Sequence, residues 1–471
     1  MNNLTRDKVK ECLSGFFNGK IYPILVCLAA FFSSILSIEI FVWPIAAIAF
    51  FFAAALSGSA RPLIITFISF CFFISPTHSP SHTVSAIYGD GDTDYYFTEW
   101  RLPLSVLTVL LIVGGAVFFF IKNKCYKRIS PKKDVFFVAT LLFSLALLLG
   151  GAFSESYLDG LLLSLGQICV FSLFYFLFAY GLVGDSADGL MEYFSYISSL
   201  VAGVLILQLS HLYLTSDIIF VDGGINKEGV ILGFGVWTLV GISLAMLIPA
   251  IFFGAMRGGV RGFVYLSIAT LTLIFAILSM SRAAQLLSIA AYVACVATAA
   301  FKAKNKLFYR IMLGVILVSA FALALIFSSK LSSMLVSFFD DNGRAEHAKI
   351  AIANFLAFPI FGVGFGGFES IKSLPDSLSP MGPLPAMAHS TPLQLLSATG
   401  IFGLLSYIFY RAAGIVPVLK KRTLSGVFAL MSASVVLLGG LIDNFTFDIY
   451  PMFYSLIALA ISHKSGDSAV S

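Results

Sequence analysis

Three residues at the edges of apolar runs have side chains suited to a phosphate-bearing substrate. Arg282 stands in Ser279-Met280-Ser281-Arg282-Ala283-Ala284, between two apolar runs. Arg344 opens a short segment of helical periodicity, and His389 lies just before another long apolar run. An arginine fork holds a phosphate or pyrophosphate through paired charge-assisted hydrogen bonds. Histidine is the side chain whose charge changes near neutral pH. Each residue also has a plainer reading. An interfacial arginine can bind lipid headgroups or helix carbonyls, and a boundary histidine can be a satisfied polar group.

Other apparent motifs fail on geometry. Gly362, Gly364, Gly366 and Gly367 follow no strand and precede no suitably spaced acid, so they are no dinucleotide loop; they predict a tight turn back to the membrane. Asp90-Gly91-Asp92-Thr93-Asp94 begins like a calcium loop, but Tyr95 and Arg101 stand where glycine and glutamate are needed, which points to a solvated acidic loop. The six cysteines show no ligand spacing, so neither a disulfide nor a metal site is expected.

The elements that must position these groups are membrane helices. Of 471 residues, 59% are hydrophobic and 11% charged, against about 25% charged in a soluble domain. Lipid must solvate the excess. Fourteen apolar runs lie near 21–37, 40–56, 62–76, 102–121, 135–153, 158–182, 191–213, 229–254, 262–280, 283–301, 309–328, 392–415, 424–440 and 448–462. The first is read as a retained span, because no cleavage site follows it. The expected fold is an all-α polytopic bundle of about 12–14 transmembrane helices, forming a single integral membrane domain over 1–471.

Net charge is +5, but the cations cluster in short loops rather than on one face. The positive-inside bias explains this better than nucleic-acid binding, which is not expected. Basic loops at Lys122–Lys133, Arg257/Arg261, Lys302–Arg310 and Arg411–Arg422 all fall on one side under the fourteen-run count. That side is expected to be cytoplasmic, with both termini on it. Loops 77–101 and 329–391 then lie outside, the second inserted between runs 11 and 12. Within it, Asp341 or Asn342 can cap a helix near 343–356, whose apolar face is Ala348, Ala351, Ile352 and Phe355. Such a helix would lie at the membrane surface. No Asp, Glu, Lys or Arg is expected at the middle of a span, which weighs against ion-coupled transport.

Taken in order, Ser281-Arg282, then Arg344 with Phe358-Pro359-Ile360-Phe361-Gly362-Val363-Gly364, then Ala388-His389-Ser390 followed by Gly400 and Gly403, resembles the O-antigen ligase/polymerase superfamily over roughly 260–440. The resemblance implies a membrane glycosyltransferase of the GT-C type in the bacterial inner membrane, with its active site on the periplasmic face. Such an enzyme takes a glycan from an undecaprenyl-diphosphate carrier and joins it to a glycan or lipid-linked acceptor. On this view Arg282 and Arg344 stabilise the lipid pyrophosphate leaving group without a metal or other cofactor. His389 accepts or orients the proton of the attacking hydroxyl, and Ser390 borders the substrate. Ser390 departs from the asparagine that often follows this histidine. Asp443, at an outer helix end, either completes the site or is an ordinary loop acid.

Polymerisation of lipid-linked repeat units is the leading expectation, because the long outer loops have room for two glycans. A chain-length regulator protein is a partner that this role implies. Ligation of a finished glycan to lipid A-core or another surface acceptor is the runner-up. A neutral-solute transporter is the competing class, and membrane lipid surrounds the protein in every case.

Overall fold

In lipid a backbone must satisfy its polar groups within itself, which a helix does everywhere except at its ends. The computed structural model describes residues 3–36, 38–73, 102–130, 134–153, 157–215, 220–221, 224–225, 231–232, 235–326, 344–364, 388–445 and 449–467. The helices are α1 (Asn3–Asn18), α2 (Ile21–Leu36), α3 (Glu39–Leu56), α4 (Leu63–Phe73), α5 (Leu102–Lys122), α6 (Val135–Ala152), α7 (Tyr157–Ile168) and α8 (Tyr175–Gly181). There follow α9 (Ala187–Thr215), α10 (Trp237–Ala255), α11 (Gly259–Leu278), α12 (Arg282–Lys302), α13 (Lys306–Ile326), α14 (Arg344–Ala357), α15 (Thr391–Lys421), α16 (Leu424–Gly439) and α17 (Ile449–Asp467). All fourteen apolar runs meet helix. The run at 158–182 is α7 and α8 joined by a π-turn at Cys169–Phe174.

Among the described residues, seven helices are long and apolar enough to cross a membrane by length and composition. The pair Lys8–Asn18 and Ile21–Ser33 passes the same test when taken together, but is bent by 61° at its break. Helix α10 is the centre, with every residue from Val240 to Ala255 buried. It packs against α9, α11, α12 and α16.

Four features differ from the sequence expectation. First, α1 is an additional helix, amphipathic rather than apolar, so a search for spanning runs passes over it. It exposes Val9, Leu13 and Phe16 alongside Lys8 and Lys10, a pattern suited to lying along a membrane surface. Second, the eighth run is not helical from its start. Ile231–Leu232 pairs antiparallel with Gly235–Val236, and a similar ladder joins Phe220–Val221 to Gly224–Ile225. Glycine at 233 and 235 disfavours helix there, so α10 begins only at Trp237.

Third, Arg411 is not in a loop. Helix α15 runs through to Lys421, and Arg411 is 5% exposed within it. Its guanidinium sits over the rings of Tyr407 and Tyr410, 4.9 and 5.5 Å from their centroids. Cation–π attraction therefore offsets part of its desolvation. Fourth, the inward face of α14 is shifted by one residue. Ile350, Ala351 and Asn354 are buried while Ile352 is 47% exposed. The expected caps of α14, Asp341 and Asn342, lie outside the described residues, as does the acidic loop at 90–94 and most of 329–391.

Candidate functional site

The site is assembled by a break in α15. Gly400 interrupts this helix with φ 64° and ψ −164°, a region open essentially to glycine alone. A break in a membrane helix leaves carbonyls and N–H groups without intrahelical partners, and these must be met by protein. The segment after α14 meets them. Val363 N donates to Ser397 O and Gly364 N to Ala398 O, both at 2.9 Å, while Ile401 N donates to Pro359 O at 2.9 Å. The Phe-Pro-Ile-Phe-Gly-Val-Gly stretch is thus a clip whose backbone replaces the missing helical bonds.

Close approach explains its glycines. A Cβ on Gly362 would lie 2.4 Å from Ala398 C, and one on Gly400 would lie 2.3 Å from Ile360 O. Phe361 also stacks on Phe153 after α6, with centroids 5.0 Å apart, and Asn354 of α14 donates to Ser397 Oγ at 2.8 Å. Gly400→Ala is expected to destabilise the protein by about 3 kcal/mol or more, from strained φ and backbone overlap. Thermal unfolding in detergent measures this; an unchanged melting temperature would show that the clip does not hold α15.

The clip holds α14 across the start of α15, and this brings two histidines together. The His347 ring of α14 stacks on the His389 ring with centroids 4.8 Å apart and planes at 15°. His389 Nδ1 lies 3.0 Å from Asp443 Oδ1, with the side chains 36% and 18% exposed. Asp443 Oδ1 also accepts from Asn444 N at 2.8 Å, so the carboxylate is fixed from its own backbone. The turn after α16 is tied to the start of α15 by Thr391 N donating to Gly440 O at 2.7 Å and by Thr391 Oγ1 with Asn444 Oδ1 at 3.4 Å.

Because an ionised carboxylate only accepts, this pairing puts a proton on His389 Nδ1 and leaves Nε2 of the neutral ring as an acceptor. Ser390 is the N-cap residue of α15, but its side chain makes no capping bond. The buried Gln394 reaches back instead, accepting from Ala388 N at 2.7 Å.

Arg282 is the first residue of α12, exposed, after a turn in which Met280 has φ 60°. Ser281 caps the helix by accepting from Ala284 N at 3.3 Å. Helix α12 passes α16 where Leu287 and Phe445 both flank Gly439. Arg282 precedes Leu287 by one and a half turns, about 7–8 Å of rise. It therefore lies at the same end of the bundle as Gly440, Asp443 and His389. Arg344 is the first residue of α14, one turn before His347. Among the described residues, no group of three or more His, Cys, Asp or Glu could hold a metal ion.

Residues 267–408 match a family model described as O-antigen ligase. The match supports the O-antigen ligase/polymerase superfamily. No curated protein matches the chain. The matched segment begins in α11 and contains Arg282, Arg344, His347, His389 and the whole clip; Asp443 lies past its end. The family supports a ligase- or polymerase-type enzyme with lipid-linked glycan substrates, in a multi-pass membrane protein. His347 and Gln394 were not legible as site residues. His347 counts in the sequence only as one polar residue of an amphipathic helix, and Gln394 falls inside an apolar run.

Proposed function

We propose that this chain is a glycosyltransferase of the bacterial inner membrane that polymerises undecaprenyl-diphosphate-linked repeat units on the non-cytoplasmic face. The observation that carries the proposal is the His389–Asp443 pair, placed at the end of the bundle that also holds Arg282 and the start of α14. Basic residues gather at the opposite helix ends, at Lys302, Arg310, Lys420 and Lys464, and by the positive-inside bias those ends and both termini are cytoplasmic.

In the proposed reaction an acceptor hydroxyl attacks the anomeric carbon of the donor glycan. The new glycosidic C–O bond forms as the bond to the lipid diphosphate breaks. His389 Nε2 takes the hydroxyl proton, with Asp443 holding the ring in place. Arg282 and Arg344 stabilise the departing diphosphate, so no metal is required. Ser390 and Asp443 border the acceptor. Residues 329–391 form the external loop of a single membrane domain and supply α14 and the clip to the site.

The match of residues 267–408 to the O-antigen ligase family favours a second reading, in which the same donor is transferred once to lipid A-core or another surface acceptor. Purified protein given lipid-linked repeat units should yield a ladder of products. A single transfer to lipid A-core would replace polymerase by ligase, and solute uptake with neither product would overturn both.

His347 has a positioning role in this scheme, because its ring fixes the plane of His389. An aromatic pair contributes about 0.5–1.5 kcal/mol, so His347→Ala should slow transfer by roughly twofold to tenfold. His347→Phe keeps the stack and should restore most of the rate. A fully inactive phenylalanine variant, in folded protein, would instead give the His347 nitrogens a direct part in the chemistry.

A further inference from the structure

At the other end of the bundle, some 20 Å along α6 from the clip, lies a polar cavity of about 810 Å³. Its polar wall is Arg128, Ser130, Asp134, Asp185, His463 and Lys464, and Phe136, Leu182, Ala413 and Pro417 make an apolar floor. The two acids are already engaged. Asp185 pairs with Arg61 at 3.1 Å. Asp134 caps α6, accepting from Phe136 N at 3.0 Å and Phe137 N at 3.1 Å, and takes the Tyr180 hydroxyl as well.

Among the described residues, the hydrogen bonds of Arg128 and Lys464 go to neutral acceptors. Arg128 Nη1 donates to Tyr180 O and Nη2 to Asn123 O, and Lys464 Nζ donates to Leu182 O. These bonds satisfy the last carbonyls around the end of α8, where helix carbonyls favour positive charge. They leave donors over on both side chains, since an ammonium has three and a guanidinium five. The Lys464 pKa is lowered, chiefly by burial, with Asp185 opposing and Arg128 adding to the shift. His463 closes the cluster, its ring 6.0 Å from that of Phe136.

We infer that this cavity binds the phosphate diester of an anionic phospholipid, such as phosphatidylglycerol. Arg128 and Lys464 hold the phosphate, and Phe136, Leu182 and Pro417 meet the start of the acyl chains. A phosphate oxygen supplies an ionic acceptor to the donors left over on these cations, and a basic pocket between membrane helices is the kind of site that takes such headgroups. The apolar floor favours a lipid over a free anion, because only the lipid also buries hydrocarbon there. The site is separate from the His389 end and does not depend on the proposed reaction.

The test uses the full chain in a neutral detergent, titrated with phosphatidylglycerol, phosphatidylcholine or inorganic phosphate while thermal unfolding is followed. Phosphatidylglycerol should raise the melting temperature, with the zwitterionic lipid and inorganic phosphate having little effect. Lys464→Gln, which retains a donor for Leu182 O, should lose at least about half of that shift, and Lys464→Arg should recover it. An equal response to inorganic phosphate would overturn the lipid assignment, and a full shift in both Lys464→Gln and Arg128→Gln would overturn the site. Photo-crosslinkable phosphatidylglycerol on the wild-type chain gives a result independent of those variants. Adducts near 128–136, 182–186 and 463–464 support the inference, and adducts confined to other regions contradict it.

Discussion

His389→Ala is expected to reduce glycan transfer by about a hundredfold to ten-thousandfold, the range for loss of a positioned general base. Abundance and membrane insertion should be unaffected. His389 is 36% exposed on its side chain, so truncation empties little packed volume, and the clip that secures α15 runs through backbone atoms of 359–364 and 397–402 rather than through this ring. Asp443→Asn is the sharper companion. An asparagine can donate to Nδ1 and so favour the tautomer with its proton on Nε2, where the acceptor is needed. It should therefore lose much of the rate despite near-identical size. Thermal unfolding of the two variants separates catalysis from architecture: near wild-type melting temperatures with a large loss of rate are the expected result. Normal rates in both variants would remove the pair from the mechanism.

Arg282→Ala and Arg344→Ala should each slow transfer by about 10²–10³-fold, as loss of one donor to a developing anion costs about 2.7–4 kcal/mol. Arg282 is exposed at the first position of α12, and the helix is capped by Ser281 rather than by the arginine itself. Its truncation therefore leaves the local fold standing. Lysine at either position restores a charge but not a bidentate fork, so Arg282→Lys and Arg344→Lys should recover only part of the loss. The double alanine variant should fall short of the summed losses if both guanidinium groups grip one diphosphate. Fully additive losses would place them on different parts of the substrate. Wild-type activity in either single variant would exclude that arginine.

Much of the fold could be read from the sequence because the bilayer simplifies the problem. A run such as 135–153 has one way to satisfy its backbone, and α6 spans Val135–Ala152. Where that constraint lapses, legibility falls. Helix α1 is too polar to count as a span, and Gly233 and Gly235 turn an apolar stretch into a short ladder. Arg411 sits so near the end of its run that burial and loop were indistinguishable. The ends of the site residues' own elements were also legible, since Arg282, Arg344 and His389 interrupt or border apolar runs. What one sequence does not reveal is who faces whom. His347 lies 42 residues before His389, and the two meet only because 359–364 docks onto the break at Gly400. Gly362 and Gly364 follow the turn at 359–361, as their spacing predicts, while Gly366 and Gly367 lie outside the described residues; nothing in the clip itself names its partner, the open backbone of α15.

The most direct measurement is a cryo-EM structure of the full chain with its polyprenyl-diphosphate donor bound. Density for the diphosphate within about 3–4 Å of the Arg282 and Arg344 guanidinium groups, with His389 Nε2 facing the anomeric carbon from the Asp443-paired ring, is the expected result. A diphosphate seated at the Arg128–Lys464 end, or one that leaves Arg282 and His389 on opposite sides of the bilayer, would contradict the proposed mechanism.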